Sequence, residues 1–392
     1  MKKSLFIIAA TALVVGCASN DVKNDIVQEE IAIGFSPSFM DKSTKANAGE
    51  MSLSPNTFNV NGNTLEVWGW KTNASSAVTK VFDNTTVTYN SGNTTTSTKW
   101  GYSPLRYWDR ASKYKFYAAA PAGAFTLDES DNAPADRKFS KTGITDVQIL
   151  SDKNGDDMIT APNENAKDYL IAAVVDCNDA EHQGNNTTDH DVEFTFSHIL
   201  SKLNVNVKTS STFDHTGDAY PQIRLTSLSI SIKGVCSDFS QKTAGQLSAA
   251  TTDGDAWSNP SSTATEKTCF AIGATGNTTA LTLSTNANNV ASYFVTPTRT
   301  GNTTSNPVVT EGVAEVKITI GYDIYYDGNQ TATSSESCLI EDLSVDNLQK
   351  IQQNTINNLN ITVDPKAILF DVESITNWSS TSEKEVIVPS ND

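Results

Sequence analysis

The stretch LSISIK, residues 228–233, alternates apolar and polar side chains without interruption. Successive side chains of a β-strand point to opposite faces of a sheet, so this period of two predicts a strand with one buried and one solvated face. The same alternation recurs in LEVW (65–68), LNVNV (203–207), VKITI (316–320) and LNITV (359–363), whereas helical periodicity is scarce. The sequence therefore predicts an all-β protein whose antiparallel strands pack as β-sandwiches.

Polar stretches rich in Ser, Thr and Asn separate these strands, for example residues 251–268. They lack the apolar surface that offsets the entropy of ordering, so we expect surface loops there. One of them, GNNTTDHD at 184–191, lies about halfway along the 392-residue chain. Two domains of ordinary size would meet there, and we expect one sandwich over 46–190 and a second over 191–392.

The N-terminus has the layout of a bacterial secretion signal, with Lys2 and Lys3 followed by an apolar run that ends at Gly16. That run is too short to span a bilayer. The sequence VVGC, residues 14–17, resembles the lipobox of bacterial lipoproteins. The resemblance implies that residues 1–16 are removed and that Cys17 becomes the lipid-bearing first residue, since several acyl chains together anchor a protein stably.

Composition and motifs exclude several classes of function. A formal net charge of −17 leaves nothing to neutralise nucleic-acid phosphates. No cofactor and no metal is expected, because the sequence contains no GxSxG, Walker A or GxGxxG motif, no HxxxH pair and no CxxC pair. The remaining thiols are expected to be buried, with disulfide pairing left open; they are Cys177, Cys236, Cys269 and Cys338.

Three further side chains carry alternatives. Trp257, in GDAWSNP, either stacks on a sugar or packs back on its own domain. Trp108 is expected to anchor the core, and His198 to be a hydrogen-bonded structural histidine. Glycosidase carboxylates pair in space and leave no mark in a sequence, so an enzyme that acts on glycans has no motif to support it.

Several segments, taken in order, resemble the fimbrillin family, the lipoprotein pilin precursors of Bacteroidales. The segments are IAIGF (31–35), STKA (43–46), LEVWGW (65–70), PLRYWDRASKYKFYAAAPAG (104–123), YLIAAVV (169–175), FTFSHILSKLNVNVK (194–208) and NNLNITVDPKAILFDVESITNW (357–378). The resemblance implies two transthyretin-like antiparallel β-sandwich domains in tandem. It also implies a structural, non-enzymatic subunit of a fimbrium that is exposed on the outer membrane and polymerises with its own kind.

In that family a protease trims an N-terminal strand, and the C-terminal strand of another subunit fills the groove. By resemblance, the removable strand is EEIAIGF (29–35), within a lipidated segment 17–45. No arginine precedes Arg106, so Lys42 and Lys45 are the only basic candidates for cleavage between this strand and Lys71, and Lys45 in the polar stretch DKSTKANAGE (41–50) is preferred. The donor strand would comprise Lys384, Glu385, Val386, Ile387 and Val388.

The missing arginine keeps two alternatives open. The chain could be an anchor or tip subunit, the anchor keeping its lipid at Cys17, or a surface lipoprotein that binds glycan. The expected partners are therefore other fimbrial subunits, the outer-membrane lipid that holds Cys17, and a host or bacterial surface glycan or protein.

Overall fold

The structure is a computed structural model, and it describes residues 31–39, 58–96, 98–109, 111–129, 137–145, 147–152, 166–177, 191–215, 221–242, 256–272, 279–300, 310–311, 315–325, 334–340, 351, 353–364 and 367–375. Over these residues the chain is all-β, as predicted, with only a single 3₁₀ turn at Ser211–Phe213. No helix in this part of the chain has the length and apolar character needed to cross a bilayer. The strands, in chain order, are β1 (Gly34–Phe39), β2 (Thr64–Thr72), β3 (Val78–Tyr89), β4 (Trp100–Gly101), β5 (Lys113–Ala120), β6 (Thr126–Leu127), β7 (Lys138–Lys141), β8 (Val147–Asp152), β9 (Leu170–Ala172), β10 (Val175–Cys177), β11 (Asp191–His198), β12 (Ser201–Thr209), β13 (Gln222–Lys233), β14 (Cys236–Lys242), β15 (Trp257–Pro260), β16 (Thr265–Ala271), β17 (Leu281–Thr282), β18 (Asn288–Val295), β19 (Arg299–Thr300), β20 (Thr310–Glu311), β21 (Glu315–Tyr325), β22 (Ser334–Ile340), β23 (Ile356–Asp364) and β24 (Ala367–Ile375).

The largest sheet has the strand order β1-β11-β9-β5-β2-β3-β4, and β10 also pairs with β5. Both of its faces are buried around β2, where every residue from Leu65 to Trp70 is inaccessible to solvent or nearly so. Leu65 and Val67 enter an aromatic cluster on one face, while Trp68 and Trp70 enter a second cluster on the other. The expectation of one solvated face is therefore wrong for LEVW, because the sheet β15-β14-β7-β6 covers the side that alternation assigned to water.

Two five-stranded sheets enclose a third apolar cluster. Their strand orders are β24-β23-β12-β18-β8 and β16-β13-β21-β22, the latter with β17 added beside β13. The stretch LSISIK forms the second half of β13, and its Leu228, Ile230 and Ile232 are buried between the sheets. Period-two burial also holds in β12, β21 and β23, which confirms the strand predictions made from alternation.

The sheets draw strands from both halves of the sequence. Strand β8 pairs with β18, and β7 pairs with β14, while β11 lies between β1 and β9 in the large sheet. The division into domains at residue 190 stays a prediction. Three of the thiols are buried, as expected, and each lies in a different apolar cluster; they are Cys177, Cys236 and Cys269.

Strands β11 and β12 form almost one continuous element. Only Ile199 and Leu200, both buried, separate the end of β11 from the start of β12. Strand β12 then runs parallel to β23 over eight registered pairs, from Lys202 opposite Ile356 to Thr209 opposite Val363. The same main chain therefore links the large sheet to the sheet that contains the last described strand.

Candidate strand-exchange groove

The N-terminal segment 31–39 lies at the edge of the large sheet. Its strand β1 runs parallel to β11, with Phe35 opposite Val192 and Pro37 opposite Phe194. Residues 31–35 are the described part of the predicted removable strand 29–35. Because β1 is the end strand in the order of this sheet, its removal would leave the other strands of the sheet paired.

Apolar side chains at alternate positions fill a groove beneath this segment. Ile33 and Phe35 are both 0% exposed. The Phe35 ring stacks on Phe194 with centroids 5.7 Å apart, and it meets the edges of Phe82 at 5.3 Å and Phe116 at 6.1 Å. Because β-strand side chains alternate, the spacing i, i+2 places Ile33 and Phe35 on the same face, toward this core.

The outer edge of the segment is also hydrogen-bonded. We call residues 98–108 the strap, because they run along the side of the segment opposite β11. The Trp108 amide donates to the Ile31 carbonyl at 3.0 Å, and the Ile33 amide donates to the Arg106 carbonyl at 2.8 Å. An isolated antiparallel bridge joins Ala32 to Tyr107.

Two hydroxyl groups complete the strap. The Tyr102 hydroxyl donates to the Ile33 carbonyl at 2.8 Å, and the Thr98 hydroxyl donates to the Phe35 carbonyl at 2.8 Å. Burial raises the pKa of Tyr102 to about 12, although contact with the Arg106 main chain opposes the rise. The phenol is therefore protonated at any physiological pH and remains a donor.

Asp109 fixes the end of the strap. Its carboxylate accepts hydrogen bonds from the Lys71 ammonium at 3.1 Å, the Ser112 hydroxyl at 2.9 Å and the Ala111 amide at 3.1 Å. These bonds, led by that from Lys71, hold the pKa of Asp109 below its ordinary value. A charged, hydrogen-bonded turn thus follows directly after the residues that touch the N-terminal segment.

The site residues that the sequence predicted for lipidation, processing and strand donation lie outside the described residues and stay predictions; they are Cys17, Lys45, Lys384, Glu385, Val386, Ile387 and Val388. The segment upstream of the donor forms β24, which pairs antiparallel with β23 at the edge of its sheet. The strap itself was missed by sequence reasoning, because its contacts join residues about 65 to 75 positions apart.

The side chains of Trp257, Trp108 and His198, which the sequence singled out, all have structural contacts. Trp257 is 1% exposed, and its Nε1 donates to Gln353 Oε1 at 3.1 Å, so it offers no platform for a sugar. Trp108 packs edge-on against Tyr114, with centroids 4.8 Å apart. His198 is buried, and its Nδ1 lies 3.0 Å from Asp168 Oδ1, an acidic partner that sequence spacing did not reveal.

No three His, Cys, Asp or Glu side chains of the described segments lie close enough together to share a metal ion. These segments form an all-β scaffold with a strand set into an apolar groove. The Fimbrillin-like family profile matches residues 44–378, which is most of the chain. The chain belongs to this family, and it is a structural protein and not an enzyme.

Similar proteins extend over nearly the whole chain. The fimbrium subunit Fim1C of Phocaeicola vulgatus is 24% identical and covers 98% of this chain and 99% of its own length. The crystal structure of a fimbrial protein from Bacteroides vulgatus aligns with a TM-score of 0.43 at 19% identity, over 89% of this chain and 99% of that one. The tip fimbrial protein Mfa3 from Porphyromonas gingivalis, truncated at its C-terminus, aligns with a TM-score of 0.33 at 9% identity, over 81% and 95%.

Proposed function

We propose that the protein is a structural subunit of a cell-surface fimbria. It consists of two tandem transthyretin-like sandwiches and polymerises by strand exchange between subunits. The precursor is exported as a lipoprotein anchored through Cys17, and cleavage after Lys45 releases the segment 31–39. The strand Lys384–Val388 of another copy then enters the groove. The observation that carries this proposal is the segment 31–39 itself, which fills an apolar groove at a sheet edge with Ile33 and Phe35 fully buried.

The physical drive for exchange follows from what the groove loses when it empties. The edge of β11 loses its ladder partners, and the aromatic rings around Phe35 become open to water. Unpaired strand edges and exposed apolar surface both favour capture of another extended strand. An incoming strand with apolar residues at i and i+2, such as Val386 and Val388, restores both kinds of contact.

Family membership and the likeness to Fim1C support a fimbrial role at the cell surface. The proposed partners are other fimbrial subunits, with a homopolymer as the main product, and outer-membrane lipid before processing. A surface glycan or protein as receptor for the assembled fibre remains part of the proposal only for a tip position.

Truncation tests the donor role. We expect the full-length chain to form SDS-resistant ladders at the cell surface, and a chain that ends at Glu383 should form none, because the groove of each subunit then has no strand to receive. A chain that ends at Pro365 also removes β24 and serves as the more severe comparison. Undiminished ladders from both truncations would rule out C-terminal donation.

Processing is tested separately with Lys45→Gln, and with Lys42→Gln as the matched control. We expect the first change to block polymerisation and the second to leave it intact. An anchor subunit that retains its lipid is the second candidate, favoured by the absence of arginine before Arg106. The N-terminal residue of protein recovered from the surface separates the two, since a shaft subunit begins just after Lys45 and an anchor begins at lipidated Cys17.

A further inference from the structure

The hydrogen bonds described between the strap and the N-terminal segment all involve main-chain groups of the segment. The Tyr102 and Thr98 hydroxyls reach the carbonyls of Ile33 and Phe35, and the Arg106 carbonyl receives the Ile33 amide. Carbonyls at i and i+2 on one edge are common to every extended strand, whatever its side chains. The hydrogen bonds along this edge therefore carry no requirement for a particular sequence.

Each hydroxyl also has a second acceptor within the strap. The Tyr102 hydroxyl lies 3.2 Å from the Arg106 carbonyl, and the Thr98 hydroxyl lies 3.4 Å from the Trp100 carbonyl. Both distances are longer than the 2.8 Å bonds to the segment. When the segment leaves, each hydroxyl can turn to this second carbonyl, so neither hydroxyl is left as an unsatisfied donor, which would be costly.

We infer that the strap is a main-chain clamp that grips whichever strand occupies the groove, the N-terminal segment before processing and the C-terminal strand of a second copy afterwards. This inference rests on the proposed function, with Lys384–Val388 as the incoming strand. Val386 and Val388 take the places of Ile33 and Phe35, and their carbonyls accept the hydroxyls of Tyr102 and Thr98.

The clamp has two consequences for the fibre. Because the strap covers the outer edge of the occupant, that edge cannot recruit a further strand, and each groove holds a single donor. The Tyr102 and Thr98 hydroxyls slow the dissociation of the strand from the groove, but they do not select the side chains of that strand. Apolar fit in the groove and grip by the strap should therefore contribute independently.

The test uses Tyr102→Phe and Thr98→Val in the full-length precursor, since each change removes a hydroxyl and keeps the side chain's shape. The first measurement is hydrogen exchange of amides 31–39 in the unprocessed precursor. We expect exchange to speed up about fivefold for each hydroxyl, the size of one neutral hydrogen bond. The second is the dissociation rate of assembled ladders in SDS, which should rise by about the same factor for each variant.

Two matched controls remove hydroxyls of the same kind elsewhere. Thr209→Val removes a hydroxyl that donates a 2.9 Å hydrogen bond to the Val363 carbonyl in another sheet. Tyr293→Phe removes a buried hydroxyl that lies 3.2 Å from Cys269 Sγ. Neither should change exchange in segment 31–39. A double-mutant cycle between Tyr102→Phe and Val386→Ala should show additive effects on dissociation, because the hydroxyl reads a carbonyl and not the valine side chain.

The outcomes separate the clamp from the proposed function. If the wild type never forms ladders, polymerisation by strand exchange is wrong. The hydrogen-exchange rates of amides 31–39 in the precursor still test the clamp. If ladders form and the two strap variants match the wild type in ladder dissociation and in hydrogen exchange of amides 31–39, the clamp is wrong and the strand-exchange mechanism stands. Strong coupling between Tyr102→Phe and Val386→Ala would contradict main-chain recognition.

Discussion

Phe35 is the residue that makes the N-terminal segment part of the core. Its ring stacks on Phe194 and touches Phe82, Phe116 and Tyr102. We expect Phe35→Ala in the precursor to lower the free energy of unfolding by about 3–5 kcal/mol, because a buried ring is replaced by a cavity. Urea unfolding measures the loss, and Val78→Ala at a position 60% exposed is the control, with an expected change within about 0.5 kcal/mol. Equal losses from the two changes would mean that the segment is not anchored by its side chains.

Asp168 forms a buried hydrogen-bonded pair with His198, the last residue of β11. The imidazole Nδ1 lies 2.9 Å from Asp168 Oδ2, and the His198 amide donates to Asn354 Oδ1 at 3.3 Å. Removing the carboxylate takes away one partner of a buried hydrogen bond, so Asp168→Ala should cost about 1–3 kcal/mol in the free energy of unfolding. His198→Ala should lower the free energy of unfolding much less in the Asp168→Ala variant than in the wild type, as measured by a double-mutant cycle in urea. Additive costs would show that the two side chains do not stabilise each other.

Glu66 gives the fold a pH dependence. Burial raises its pKa above the ordinary value of 4.5, and the hydrogen bond from the Gly123 amide opposes this only in part. Between pH 4.5 and the raised pKa, the folded protein keeps a proton that the unfolded chain has released. Stability therefore falls as pH rises through that window.

We expect Glu66→Gln to remove this contribution, because an amide does not ionise. The free energy of unfolding of the variant, minus that of the wild type, should increase from pH 4 to pH 7 when both are unfolded in urea. A difference that stays constant over this range would contradict the assignment to Glu66.

At the scale of elements, the proposed strand exchange requires that β1 can leave β11 and be replaced by another strand. A chain that begins at residue 46 lacks segment 31–39 and should bind an apolar dye at the open groove. Adding a synthetic peptide of residues 31–39 should reduce dye fluorescence, because the peptide restores both the ladder on β11 and the apolar contacts. The matched control peptide carries Phe35→Asp, and we expect no reduction with it. Equal effects from the two peptides would exclude a specific groove.

Alternation identifies the strands that have one buried face. Strands β12, β13, β21 and β23 follow period two because each has one face on the core between the two five-stranded sheets. The polar positions that alternation assigns to the outer face still make specific contacts across β12 and β23. Asn204 bonds Asn358 at 2.8 Å, and Asn206 bonds Asn360 at 2.9 Å.

The pairing of distant strands could not be predicted in this way. Strand β1 lies beside β11, more than 150 residues later, and β8 joins β18 in a sheet built mainly from the second half of the sequence. Local patterns report burial and not the identity of the neighbour. For the same reason the groove was predicted only through family resemblance, and the Tyr102 and Thr98 contacts and the Asp168 partner of His198 were not predicted at all.

At the scale of the whole molecule, charge should control the rate of assembly. A formal net charge of −17 makes subunits repel one another at low ionic strength. We expect the initial rate of ladder formation by processed subunits to rise several-fold between about 10 mM and 150 mM NaCl, as the screening length shortens. Gel densitometry over time measures the rate. A rate that falls with salt would show that assembly depends on attraction between charges.

The near-continuity of β11 and β12 bears on how a fibre would carry tension. The groove ladder is built on β11, which continues into β12 after two buried residues; β12 pairs with β23, and β23 pairs with β24, the described strand nearest the tail. In the proposed fibre, a pull on β24 of one subunit would reach the groove of the same subunit through the rungs of β23 and β12 and the covalent link from β12 to β11. Because many rungs loaded side by side share a force, each subunit of the proposed fibre would act as a stiff link.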